Sequence, residues 1–228
     1  MVGIFHKDDQ VIYCGGALIS DRWVLSAAHC FIKRSANSIE AHLGEHDTSK
    51  RDKKVVRMPI TQIIQHPDFK KLGLGYDKDI SLLKMRRTIV FSKYDYIRPI
   101  CLPIDDRQNY DGETAIIAGW GSMGRADFQE ILQKADVKVL TSKACTEIYR
   151  NHPKKRKTQI TRDMICTNTE NVKNGRKAPC KGDSGTDTNQ RYKAVICLLL
   201  NSTNLTQGRA FRRFVRVCGH ASLRKLIW

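Results

Sequence analysis

From residue 11 to residue 140 the chain is a succession of short β-rich runs separated by turn residues. Residues 11–20 read as two short strands bent at the Gly15-Gly16 pair, Asp21-Arg22 as a turn, and residues 23–26 as the next strand. Residues 55–64 and 80–85 are rich in β-branched and long aliphatic side chains, with a polar, glycine-containing loop at 70–78 between them. Residues 113–118 form another run. Residues 135–140 alternate, with Val137 and Val139 expected inward and Asp136 and Lys138 outward. Thr141 or Ser142 is the N-cap of a short helix, and residues 164–166 are a further strand. Strands this short, regularly spaced and joined by turns restrict the fold to an all-β barrel or sandwich.

Composition narrows the function classes. With 228 residues and 41% hydrophobic content the chain can bury a proper core. Its eight cysteines are spread out with no Cys-x-x-Cys pair, which argues against a zinc ribbon or a thioredoxin-like site and for disulfides in an oxidising compartment. Residues 1–5 run straight into charged residues, so no signal peptide is expected in this sequence. The apolar run at 194–200 is too short to span a bilayer. The formal net charge of +17 suits polyanions, but the clusters at 50–54 and 154–157 read as solvated loops. No stacking aromatics accompany them, so nucleic acid is not an expected partner.

Three positions carry chemistry. Cys180-Lys181-Gly182-Asp183-Ser184-Gly185 is a small-residue turn suited to exposing a nucleophilic hydroxyl, although such residues also favour ordinary turns. His29 lies between small residues and Cys30, and a bridge from Cys14 would clamp its turn against the preceding hairpin. Asp79 sits at the mouth of an apolar run, where a carboxylate either caps a turn or reaches inward to a histidine ring.

Together these segments resemble the trypsin/chymotrypsin-like serine proteases. The likeness rests on Cys14-Gly15-Gly16-Ala17-Leu18-Ile19, Trp23-Val24-Leu25-Ser26-Ala27-Ala28-His29-Cys30, Asp79-Ile80-Ser81-Leu82-Leu83, Arg98-Pro99-Ile100-Cys101-Leu102-Pro103, Gly119-Trp120-Gly121 and Gly182-Asp183-Ser184-Gly185, all in family order. Leu43-Gly44-Glu45-His46-Asp47 and the proline-flanked Cys101 resemble the arthropod clip-domain branch. The resemblance implies two six-stranded antiparallel Greek-key barrels with the site between them. The second barrel is expected to be incomplete. It implies a triad of His29, Asp79 and Ser184, an oxyanion hole from the amides of Gly182 and Ser184, and bridges Cys14–Cys30 and Cys145–Cys166.

The same comparison exposes departures. Met1 falls where a family strand is already under way, so the activating amino terminus that would meet Asp183 is expected to be missing here. Ala178 and Pro179 stand at the floor of the specificity pocket where trypsin-like members have an aspartate and a small hydroxyl residue, which removes the case for cleavage after Arg or Lys. After Gly185 the family pattern stops. Residues 1–185 are therefore read as the peptidase domain, and 186–228 as an off-family basic tail from a frameshift, a retained intron or natural divergence. Cys101 is expected to be free, its usual partner being an upstream propeptide or clip domain. Glu45 resembles the start of a calcium loop, but Lys53, Lys54 and Val55 replace later positions, so no calcium, other metal or cofactor is expected. The resemblance implies an extracellular serine endopeptidase acting on protein or peptide substrates and meeting serpin-type inhibitors. The alternative is a catalytically inactive homologue that works by binding or regulation.

Overall fold

The structure is a computed structural model that describes residues 1–8, 11–73, 75–102, 109–121, 129–151, 159–161 and 163–168, and the backbone of 199–200. Its first half comprises β1 (Val2–His6), β2 (Ile12–Leu18), β3 (Trp23–Ser26), β4 (Ile39–Leu43), β5 (Val56–Gln65), the small hairpin β6 (Lys70–Leu72) and β7 (Gly75–Asp77), and β8 (Ser81–Met85). Six of these close a barrel in the order β1-β2-β3-β8-β5-β4, every pair antiparallel. Ile4, Val24, Ile39, Leu43, Ile60, Leu83 and Met85 fill its interior and are fully buried. Each such side chain contributes about 1.5–3 kcal/mol of burial free energy.

β2 runs unbroken through Gly15 and Gly16, contrary to the bend expected there. The glycines serve close approach instead. A Cβ on Gly16 would stand 2.7 Å from Cγ1 of Val24 and 2.9 Å from the Leu25 carbonyl oxygen, so only glycine lets β3 pack this tightly. β1 and β2 are buried nearly throughout because their second face is also covered. Phe5 and Ile12 turn from the barrel interior toward Trp120 of the second half.

That half contains β9 (Thr114–Gly119), β10 (Gln133–Leu140), α1 (Ser142–Asn151), β11 (Cys166–Asn168) and β12 (Leu199–Leu200). The described strands make a four-stranded antiparallel sheet, β11-β10-β9-β12, over a core of Ala115, Ile117, Val137 and Val139. Thr141 caps α1, its Oγ1 accepting from the Ala144 amide at 3.1 Å. A Cys145–Cys166 disulfide, with a Cα–Cα distance of 6.0 Å, ties this helix to β11. The strand expected at 164–166 begins only at Cys166.

A loop after β4 zips the two halves together. The His46 carbonyl accepts from the Leu132 amide at 2.8 Å and from Trp120 Nε1 at 3.2 Å, and the Thr48 amide donates to Glu130 O at 2.8 Å. Asp47 organises this loop by accepting from Lys50 Nζ at 2.6 Å and Ser49 Oγ at 2.6 Å. The hydrogen bond from Lys50, followed by those from Ser49, lowers its pKa to about 2. A depressed carboxyl contributes stability above its unfolded value, roughly pH 4, and loses it as pH falls through the folded value. The melting-temperature gap between the protein and Asp47→Asn should therefore be full at about pH 5, shrink as the pH falls toward about 2 and vanish only below it, at low ionic strength. A gap that stays constant over that window would rule out this role for the carboxylate.

Candidate active site

The site is assembled from the end of β3 outward. Ser26 Oγ donates to the Gly15 carbonyl at 2.8 Å, fixing the strand end against β2. The chain then enters a 3-10 turn at Ala28–Phe31, with Ala28, Cys30 and Phe31 buried and His29 turned toward the surface. Small residues at 27 and 28 let the turn lie flat on the barrel end. Gln65 Nε2 donates to the Ala28 carbonyl at 2.8 Å, and a Cys14–Cys30 disulfide with a Cα–Cα distance of 6.4 Å pins the turn to β2. The ring that results has little room to wander.

Asp79 reaches this turn from the link between β7 and β8. Its Oδ1 accepts from the His29 backbone amide at 2.8 Å, and its Oδ2 lies 2.7 Å from His29 Nδ1. Side-chain exposures of 13% for His29 and 19% for Asp79 keep bulk water from dominating the contact while leaving the ring reachable. Because Oδ2 is an acceptor, Nδ1 carries the proton and Nε2 becomes the nitrogen able to take one. Tyr76 lies parallel to the imidazole, ring centroids 5.8 Å apart at 7°, and Phe69 packs on Tyr76 at 5.3 Å. Neither aromatic was anticipated. The expected loop at 70–78 is instead the β6–β7 hairpin, in which Lys71 pairs with Tyr76 and Leu72 with Gly75.

His29 and Asp79 are thus brought together. Ser184, Gly182, Ala178 and Pro179, with Cys180 and Asp183, lie outside the described residues. Cys101, expected free, is instead disulfide-bonded. The other four described cysteines pair among themselves, so its partner lies outside the described residues. Long-range pairing of this kind has no local signature. Glu45 turns its Oε2 toward Nδ1 of the buried His42 at 3.3 Å, while Glu40 Oε1 meets Nε2 at 2.8 Å and Phe5 stacks on the ring at 3.9 Å. Among the described residues the one group of three possible metal ligands is Cys14, His29 and Cys30. Both of its sulfurs are committed to a disulfide, so it does not suit a metal.

A hydrogen-bonded histidine–aspartate pair at the end of a six-stranded antiparallel barrel defines a class that comparison makes specific. The trypsin family matches residues 1–189, and the chain belongs to that family of serine proteases. It is 34% identical over 181 residues to transmembrane protease serine 9 of Rattus norvegicus, covering 78% of this chain and 16% of that protein. Coagulation factor XI of Bos taurus is 33% identical over 184 residues, covering 80% of this chain and 27% of its own. Phenoloxidase-activating factor 3 of Holotrichia diomphalia is 34% identical over 184 residues, covering 75% and 50%. The chain therefore spans at most half the length of these relatives. No helix among the described residues is long and apolar enough to cross a membrane.

Proposed function

We propose that the protein is a serine endopeptidase in which Ser184 attacks the scissile carbonyl, His29 moves the proton and Asp79 orients His29. The observation that carries this reading is the double hold of Asp79 on His29, through backbone N–H and ring Nδ1 together. A core histidine needs one satisfied nitrogen; a general base needs one nitrogen fixed and the other presented. Ser184 Oγ is a poor nucleophile until Nε2 accepts its proton, which the imidazolium then delivers to the leaving amine. Asp79 stabilises that imidazolium. The amides of Gly182 and Ser184 are assigned to the tetrahedral oxyanion, each worth about 3 kcal/mol in such a site.

Ala178 and Pro179 are assigned to the pocket floor, which without a carboxylate favours small or apolar side chains at the cleavage position. The Cys14–Cys30 and Cys145–Cys166 disulfides support an oxidising, extracellular setting. Protein substrates in a proteolytic cascade, serpin-type inhibitors and an upstream clip domain fit the family likeness. The peptidase domain is taken as residues 1–185 and the basic segment 186–228 as a tail, while the family match itself runs to 189.

A fluorophosphonate probe tests the reading. Ser184 of the full-length protein should be labelled, and Ser184→Ala and His29→Ala should each abolish labelling. If the protein resists the probe as its Ser184→Ala variant does, even after a native amino terminus is supplied, the chain is an inactive homologue that works by binding.

A further inference from the structure

Two non-glycine residues among those described have a positive φ: Lys33 at 58° and Lys78 at 51°. A long unbranched side chain gains nothing from the left-handed region, so this conformation persists only where its surroundings impose it. Lys78 immediately precedes Asp79. Its carbonyl accepts from the Ile80 amide at 2.8 Å, closing a tight turn from whose apex Asp79 projects to His29.

The restraint on this turn comes from the other half of the molecule. Lys78 Nζ meets Asp163 Oδ2 at 2.5 Å, across 85 positions of sequence. One residue earlier, the nearly buried Asp77 accepts at Oδ1 from Thr161 Oγ1 at 3.0 Å. Thr161 and Asp163 share one short turn, closed by the Met164 amide donating to the Thr161 carbonyl at 3.2 Å. That turn leads directly into Cys166, which is bonded to Cys145 of α1 and begins β11. Two successive residues before Asp79 are therefore each gripped by one rigidly anchored turn. Ion pairs as exposed as Lys78 (29%) and Asp163 (40%) add little to global stability, so this pair is poorly explained as a simple staple.

We infer that Lys78 and Asp163, with Asp77 and Thr161 beside them, form a clasp that positions Asp79 against His29, so that the orienting carboxylate of the first half is held in place by the second. This rests on the serine-endopeptidase reading, in which Asp79 is the orienting acid. Lys78 and Asp163 are positioning residues: neither touches the reacting atoms. Without the ion pair, Lys78 relaxes out of the left-handed region, the 78–79 peptide turns, and both hydrogen bonds from Asp79 to His29 lengthen together.

The test uses the full-length protein and four variants: Lys78→Gly, Asp163→Asn, their combination, and the exchange Lys78→Asp with Asp163→Lys. Glycine populates positive and negative φ alike, so Lys78→Gly leaves the turn sterically possible but no longer held, and aspartate tolerates the φ that the exchange requires. Two readouts are taken, the rate of fluorophosphonate labelling at Ser184 and the low-field proton resonance of His29 Nδ1–H. Each single variant should slow labelling about tenfold and shift or broaden the resonance. The combination should be no slower than either single change, and the exchange should restore most of both signals. Labelling and resonance unchanged in both single variants would overturn the clasp while leaving the endopeptidase reading intact. Singles whose effects add, with no rescue by the exchange, would overturn it equally. If the unaltered protein resists the probe yet the resonance still responds to Lys78→Gly and Asp163→Asn, the endopeptidase reading fails and the clasp stands.

Discussion

Asp79→Asn is expected to slow fluorophosphonate labelling and peptide hydrolysis by about 10⁴-fold with the fold intact, a magnitude known for the type triad of this family. The cause lies in the pattern of donors. Asp79 accepts twice, from the His29 amide at Oδ1 and from Nδ1 at Oδ2. Asparagine keeps one acceptor. If its oxygen stays with the backbone amide, its NH₂ faces Nδ1, the ring must accept there, and the proton moves to Nε2. An Nε2–H imidazole has no lone pair with which to take the serine proton. If the amide flips, two N–H groups oppose each other at the His29 backbone and the turn is pushed away. Either arrangement removes the base without removing a core side chain, so the melting temperature should stay close to that of the parent. A variant whose labelling rate remains within tenfold of the parent would show that Asp79 does not set the tautomer.

How much of this was readable beforehand differs from element to element, for physical reasons. β10 was legible because one face is wet: Val137 and Val139 go in while Asp136 and Lys138 stay out, and a period of two announces itself. β1 and β2 carry no such period because Val2 and Ile4 face the barrel while Phe5 and Ile12 face Trp120, leaving both sides apolar. The Gly15-Gly16 pair reads as a bend in the sequence but lies within unbroken β2. A glycine serves a bend or a close approach equally well, and what decides is Val24, eight residues further on. The β6–β7 hairpin has no signature in the sequence because its strands are three residues each and β6 carries two exposed lysines, yet it delivers Tyr76 to the face of His29. His29 and Asp79 were each recognisable only through their motifs. Their 2.7 Å meeting depends on β3 and β8 being neighbours, with Ser26 opposite Ser81, a pairing that no local pattern encodes. The partners of Lys78 and Asp77 lie 84 or more positions away, on a turn whose own sequence gives no hint of them.

Trp120→Ala is expected to destabilise the protein by about 3–5 kcal/mol, a large share of the roughly 5–15 kcal/mol that holds a domain folded. Trp120 is 2% exposed and belongs to neither core proper. It directly follows β9, and its indole fills the seam against Phe5 and Ile12, with Met1 and Leu132 at the edge. Its Nε1–H donates to the His46 carbonyl, the same oxygen that accepts from Leu132, so one side chain supplies both packing and a polar tie between the halves. Alanine leaves a cavity that β1 cannot close, because Val2 and Ile4 on its other face are locked in the barrel. Trp120→Phe separates the two contributions: it keeps most of the volume but orphans one lone pair of the His46 carbonyl, at a cost of about 1 kcal/mol. Urea denaturation of the three proteins reads the difference directly. A loss below about 1 kcal/mol for the alanine variant would mean the halves adhere without the indole. The same outcome would weaken the clasp at Lys78, which relies on a docked second half to hold Asp163 in place.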